Sequence, residues 1–262
     1  MENIFWTDSH AHIHNDEHGR TINDFFQEAV NNNVLRIVTI GTDYNDSIKA
    51  MESTNQVENL YAAVGIHPES ANEYKREEHY NKFLEFAEHE KVIAIGETGL
   101  DFYYENNPSE EKQVELFEDM IDIACKKNKP IVIHSRNAAE KTIEVLNKAY
   151  EKYSNLKGIF HCFDGSLKVL EWVKDKDFYI SYAGNVTFKS AENLRIALSK
   201  TPLEKLLIET DSPYLAPVPV RGKPNKPANV AYTAAFISEY LCIDKGKLSE
   251  ILEVNFKQLM GV

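Results

Sequence analysis

Residues 4–14 read Ile-Phe-Trp-Thr-Asp-Ser-His-Ala-His-Ile-His, and this stretch decides the fold class. Its first part, residues 4–8, is an apolar and aromatic run of strand character. Its second part sets histidines at alternate positions, His10, His12 and His14. A doubly wound open sheet usually follows its first strand with a glycine-rich phosphate loop, G-x-G-x-x-G, and none stands here. In an extended chain, positions i and i+2 point the same way, so His10 and His12 can grip one ion together. Alone the pair carries little weight. Its meaning depends on what the later strands bring to it.

Working outward, short apolar runs recur at residues 34–40, 60–65, 92–97, 130–134, 158–161, 178–181 and 206–211. Most lack polar alternation, as strands buried on both faces do. Helical stretches separate them. The clearest covers residues 109–128, with Val114, Phe117, Ile121 and Ala124 on one face, acidic residues at its start and Lys126-Lys127 at its end. Further helices are expected at residues 229–241 and 245–260. Eight strand–helix alternations over about 250 residues match a (β/α)₈ TIM barrel, with the doubly wound sheet second. No linker, repeat or low-complexity segment interrupts the pattern, so residues 1–262 read as a single barrel domain. The proline-rich stretch 213–227 reads as a long loop after the last strand.

The 262 residues carry 41 Asp and Glu against 29 Lys and Arg, a net charge of -12. Such a body does not adhere to duplex nucleic acid through general electrostatics, although a local, metal-assisted site is compatible with it. Three scattered cysteines, Cys125, Cys162 and Cys242, argue against a disulfide framework and fit a reducing cytoplasm. No secretory pattern or bilayer-length apolar run is present, which predicts no membrane partner.

Acidic residues and histidines fall at the predicted strand ends. His10 and His12 end the first, Glu97 the fourth, His134 the fifth, His161 the sixth and Asp211 the eighth. In a (β/α)₈ barrel these ends meet at one mouth, so residues far apart in sequence converge there. Four histidines and two carboxylates are enough for two divalent ions with one carboxylate bridging. Imidazole favours Zn, Mn, Fe or Ni over Mg or Ca; Mg, Mn and Zn are kept as candidates. Glu97 sits in Gly96-Glu97-Thr98-Gly99, where the glycines allow a sharp turn out of the strand and a close backbone approach.

Together the segments Asp8-Ser9-His10-Ala11-His12, Gly65-Ile66-His67-Pro68, Gly96-Glu97-Thr98-Gly99-Leu100-Asp101-Phe102, His134-Ser135-Arg136, His161-Cys162-Phe163 and Glu209-Thr210-Asp211-Ser212-Pro213-Tyr214 resemble the TatD family of metal-dependent deoxyribonucleases. The resemblance runs in order along nearly the whole chain. It implies one metal held by His10, His12, Glu97 and Asp211, and a second held by Glu97, His134 and His161. It also implies a metal-activated water that attacks a phosphodiester, Asp211 taking its proton, and single-stranded DNA digested from the 3′ end. Glu209, two residues from Asp211, is expected to orient a water or a histidine ligand. The competing readings are a metal-dependent amidohydrolase or esterase, such as an aminoacyl-tRNA deacylase, and a metal-binding scaffold without turnover.

The substrate candidates are His67, Arg136 and Arg221 for phosphate, Ser135 beside them, and Tyr103 or Phe163 for base stacking. Two positions depart from the family pattern. Ile13-His14 replaces the usual Leu-Asp, putting an extra histidine at the mouth, either tuning the site or lying in solvent. Asn225-Lys226-Pro227 replaces Asn-Glu-Pro, adding a cation beside Arg221 and Lys223. Cys162 reads as a small buried hydrophobe, and His18, His79 and His89 as surface residues.

Overall fold

The computed structural model describes residues 4–14 and 19–262, and the expected surface histidine His18 lies outside the described residues. Eight strands form one parallel sheet in chain order: β1 (Trp6–Ala11), β2 (Val34–Ile40), β3 (Leu60–Val64), β4 (Val92–Asp101), β5 (Ile131–Arg136), β6 (Gly158–Phe160), β7 (Phe178–Tyr182) and β8 (Leu206–Ile208). Helices alternate with them: α1 (Ile22–Asn31), α2 (Tyr44–Ser53), α3 (Arg76–Phe86), α4 (Glu110–Lys126), α5 (Ala139–Lys152), α6 (Leu167–Val173), α7 (Glu192–Leu198), α8 (Val230–Tyr240) and α9 (Lys245–Met260). This is the (β/α)₈ barrel that the recurring apolar runs predict.

Strand alternation splits the core in two. Ile37, Val64, Ile95 and Ile133 turn outward against the helices. Val38, Ile40, Ile93, Val132, Ile159 and Leu207 turn inward and meet Phe256, Leu259 and Met260 of α9. Helix α9 lies at the N-terminal strand ends, where Asn255 Nδ2 donates to the carbonyls of Leu203 and Leu206 at 2.7 and 2.8 Å. The opposite, C-terminal ends remain for the site.

The circle closes at that mouth. Ala11 bridges Ser212, His12 N–H donates to Ser212 O at 2.8 Å, and Asp211 N–H donates to His10 O at 2.9 Å. Below them, the buried Asp8 carboxylate accepts from Thr210 N–H at 2.8 Å and from the Thr210 hydroxyl at 2.5 Å. Burial pushes the Asp8 carboxyl up to about 8, against the pull of these bonds.

Strand ends at the mouth differ from the sequence expectation. β1 runs on to Ala11, β8 stops at Ile208, and β4 continues past Glu97 to Asp101. The glycines beside Glu97 therefore do not end the strand. Gly96 and Gly99 both hold φ near +135°, and a Cβ on Gly99 would lie 2.1 Å from His134 O. They let β4 press against β5 across a register shift between Ile95 and Thr98.

Candidate metal centre

β1 delivers the first histidines. His10 is fully buried within the strand and His12 follows its last residue. Their neighbours are Glu97 from mid-β4, His134 from β5, His161 just past β6 and Asp211 three residues past β8. Asp211 reaches inward from a left-handed backbone, φ 54°, a conformation rarely held by a non-glycine residue unless its surroundings impose it.

Glu97 is the hub, and its two oxygens face different donors. Oε2 lies 3.3 Å from His10 Nε2 and 4.0 Å from His12 Nε2. Oε1 lies 2.7 Å from His161 Nε2, 2.9 Å from His134 Nδ1 and 3.5 Å from His67 Nε2. Asp211 Oδ1 completes the first side, 3.6 Å from His12 and 3.8 Å from His10. Among the described residues three overlapping groups have metal-ligand spacing: His10–His12–Asp211, His10–Glu97–His161 and His67–Glu97–His134.

Three histidines are each tethered through one ring nitrogen so that the other faces inward. His12 Nδ1 donates to Ile40 O at 3.0 Å. His134 Nε2 meets Asp101 Oδ2 at 3.0 Å, leaving Nδ1 toward Glu97. His161 Nδ1 lies 3.3 Å from Glu209 Oε1. Such outer partners fix the tautomer of a metal-ligating imidazole. His10 Nδ1 is buried without a hydrogen-bond partner, and His10 Nε2 and His161 Nε2 face Glu97 at ion-pair distance without the alignment of a hydrogen bond. Unsatisfied buried nitrogens are costly, and a divalent cation satisfies them without adding a donor. The donor set therefore fits divalent metal.

Burial would raise the Glu97 carboxyl, but the surrounding imidazoles, His161 and His67 foremost, hold it well below the ordinary range. Burial likewise opposes ionisation of Asp211, and His12 and His10 overcome it. Both carboxylates are thus held in the anionic form that a metal requires. Burial lowers His10, and His161 beside it lowers it further. The two rings stack at 3.9 Å, within 9° of parallel.

His67 differs in kind. Its Nδ1 accepts from Glu69 N–H at 3.2 Å, so the neutral ring carries its proton on Nε2, facing Glu97. Burial holds its pKa down to about 4. It therefore presents a hydrogen-bond donor to the cluster.

Glu209 is fully buried behind His161, where Oε1 also accepts from Cys162 N–H at 2.7 Å. It touches a histidine and does not reach the open mouth. Cys162 is only half-buried. Its backbone at φ 40° is what Glu209 holds, a conformational role that the reading as a small buried hydrophobe missed. Asp101, the His134 partner, was also missed as a site residue. Ending β4 at Glu97 left Asp101 in a loop, when the strand carries it beside β5.

The substrate candidates separate. Tyr103 is half-exposed at the mouth under Arg136, whose guanidinium lies 3.8 Å from its ring centre. Phe163 is 3% exposed and packs edge-on against Tyr182, so it offers no face to a base. Ser135 points away from its neighbours His134 and Arg136 by strand alternation, and its hydroxyl pairs with Thr142 of α5 at 3.1 Å. Arg221 lies over Phe188 at 4.1 Å, on the loop after β8. Lys226 pairs with Glu28 of α1 and is not free for phosphate. Asn225 keeps the loop's hydrogen bonding, donating to Thr210 O and Tyr214 O. His14 is not in solvent: its ring is buried between Thr39 Oγ1 at 2.7 Å and Asp46 Oδ1 at 3.1 Å. His79 and His89 are half-buried at the outer ring.

Comparison with known proteins identifies similar chains. The family model described as TatD related DNase matches residues 7–261. The metal-dependent hydrolase YabD of Bacillus subtilis is 36% identical over 255 residues, covering 97% of this chain and 98% of its own. A 3′-5′ ssDNA/RNA exonuclease, TatD of Shigella flexneri, is 30% identical over 91% of this chain and 92% of its own. The crystal structure of YjjV, a TatD homolog from Escherichia coli K12, superposes with a TM-score of 0.91 at 25% identity, covering 98% of both chains.

Proposed function

The chain belongs to the TatD-related DNase family of metal-dependent hydrolases, and from that premise we propose that it hydrolyses phosphodiesters of single-stranded DNA, entering from the 3′ end. The observation that carries the reading is Glu97, whose two oxygens face two separate sets of donors. A carboxylate so placed suits a bridge between two divalent ions, Mg, Mn or Zn. His10, His12 and Asp211 would hold one, and His134 and His161 the other. Bound there, the ions would lower the pKa of water and neutralise charge on the phosphate and leaving oxygen.

The chain's own groups do the rest. Asp211, kept ionised, accepts the proton of the attacking water at its carboxylate. His67 donates through Nε2–H to a phosphate oxygen. Glu209 and Asp101 hold His161 and His134 in position from behind. A body of net charge -12 disfavours tracking along a duplex, whereas a flexible single-stranded end can enter a barrel mouth. The Shigella relative's named activity supports the polarity.

We take residues 1–262 as one catalytic domain, since the sheet runs without a break from β1 to β8 and α9 packs beneath it. Free Cys125, Cys162 and Cys242 support a cytoplasmic setting. Among the described residues no helix is long and apolar enough to cross a membrane.

The test is digestion by metal-loaded protein of linear and circular single-stranded DNA, and of linear strands blocked at either end. An aminoacyl ester is run in parallel. Loss of linear DNA alone, stopped by a 3′ block, is the expected result. Equal cleavage of circle and line would refute end entry, and turnover of the ester alone would replace the nuclease with a deacylase.

A further inference from the structure

Beside the metal centre, on the rim above β4 and β5, two consecutive tyrosines stand exposed. Tyr103 is 53% and Tyr104 50% accessible, and their rings meet edge-to-face at 4.8 Å. Arg136 lies against both, at 3.8 and 5.0 Å from the ring centres. Large exposed aromatic surface is the uncommon case that calls for a ligand. The arginine also has charge to offer a ligand. Arg20, Arg36 and Arg76 each pair with a carboxylate, and Arg195 is taken up by backbone carbonyls, whereas among the described residues no carboxylate lies within salt-bridge distance of Arg136 or Arg221.

The cluster is tied to the reaction centre through one side chain. Asp101 Oδ1 accepts from Tyr103 N–H at 2.9 Å and from Asn107 Nδ2 at 3.0 Å, while Oδ2 meets His134 Nε2. Phe102 N–H donates to Arg136 O at 3.0 Å, and Asp101 and Arg136 are direct partners in the β4–β5 ladder. His134 and Arg136, two apart on β5, point to the same side. Arg136 therefore sits immediately outward of His134 on the sheet, and the tyrosines stand beside it on the turn that leaves β4, tied down through Phe102 N–H and Tyr103 N–H.

We infer that Tyr103, Tyr104 and Arg136 form a stacking seat for an unpaired nucleobase neighbouring the scissile phosphate. The inference rests on the phosphodiesterase reading and adds to it the group recognised beside the reacting bond. A tyrosine backed by a guanidinium offers a flat, polarisable surface that takes any base without reading its edge, and the guanidinium's outer N–H groups remain for a phosphate. A base still stacked in a duplex cannot present its face to the seat, so the seat selects single strands by geometry as well as charge.

The test compares kcat/KM of the manganese-loaded enzyme on a short oligothymidylate and on bis(p-nitrophenyl) phosphate, which has no base. In Tyr103→Leu/Tyr104→Leu, the loss on the oligonucleotide is expected to exceed that on the small diester by about 5- to 150-fold, the range for one stacked base. Tyr104→Phe should restore most of its share. With the unaltered enzyme, an oligonucleotide abasic beside the scissile phosphate should lose a similar factor, a readout independent of whether a variant folds. Equal losses on both substrates, or an abasic strand cleaved as fast as its parent, would overturn the seat and leave the hydrolase standing. Hydrolysis of neither diester by the unaltered enzyme would overturn the phosphodiesterase reading, and the seat with it.

Discussion

Glu97 meets imidazoles on both sides, and its removal should disturb both sides at once. Glu97→Gln is expected to lower kcat by roughly 10²-fold or more, the scale of losing a positioned charge. Bound metal, counted by mass spectrometry of elements, should fall in both sites, whereas His161→Ala should empty mainly one. Turnover equal to the parent's would return Glu97 to an ordinary buried carboxylate. Asp101 acts one bond further out, through His134 Nε2. Asp101→Ala should reduce metal affinity or activity by about 10–100-fold, with Asp101→Asn in between, and a melting curve near the parent's would separate this from misfolding. These two residues also show what could be read before the fold was known. Glu97 announces itself by type and by a predicted strand end. Asp101 does not, because β4 bends at Gly96 and Gly99 and runs four residues past Glu97, and no periodicity foretells that extension. Phe163 was misread for the converse reason: adjacency to His161 in sequence says nothing of which way a ring turns once the strand has ended.

Among the elements, the outer helices are braced at one carboxylate. Asp122 of α4 receives the hydroxyls of Tyr80 from α3 and Tyr153 beyond α5, with Lys126 Nζ at 2.9 Å and Lys152 Nζ at 3.3 Å. Burial would raise this carboxyl, but Lys126, the two tyrosines and Lys152 hold it well below the ordinary carboxylate range. Because the folded value is the lower one, the stabilisation is present above the unfolded pKa of about 4 and fades as pH falls through the folded value. Asp122→Asn should cost about 1–3 kcal/mol near neutrality, measured by urea unfolding, and the difference from the parent should shrink in strong acid. A difference that holds constant with pH would assign the loss to packing. The strands themselves were legible wherever both faces are apolar, as at residues 92–95. Their ends at the mouth were not, since there polar side chains face the site and left-handed residues such as Cys162 and Asp211 replace the ladder.

At the scale of the whole molecule, the core lies below and around the metal centre. Chelation should therefore abolish hydrolysis while leaving the far-UV circular dichroism unchanged at room temperature, and should lower the melting point only through lost binding linkage. Loss of helix signal on chelation would show the metals to be structural. The count of eight alternations and the chain length were sufficient to predict a barrel, but how the circle closes was not visible, since no pattern in β1 names Ser212 or Thr210 as its neighbours. That closure has a consequence for how the protein is made. Asp8 and Thr210 stand 202 positions apart, and β1 leaves the ribosome long before the segment that flanks it. His10 and His12 thus wait for Asp211, the last member of their group to be made, while most of the barrel is translated. Nascent chains stalled before Asp211 clears the exit tunnel should lack the His10–His12–Asp211 group and hold less manganese than chains that include α9. Metal capture by that group thus waits until the two ends of the sheet have met, which makes it a late event in the life of the chain.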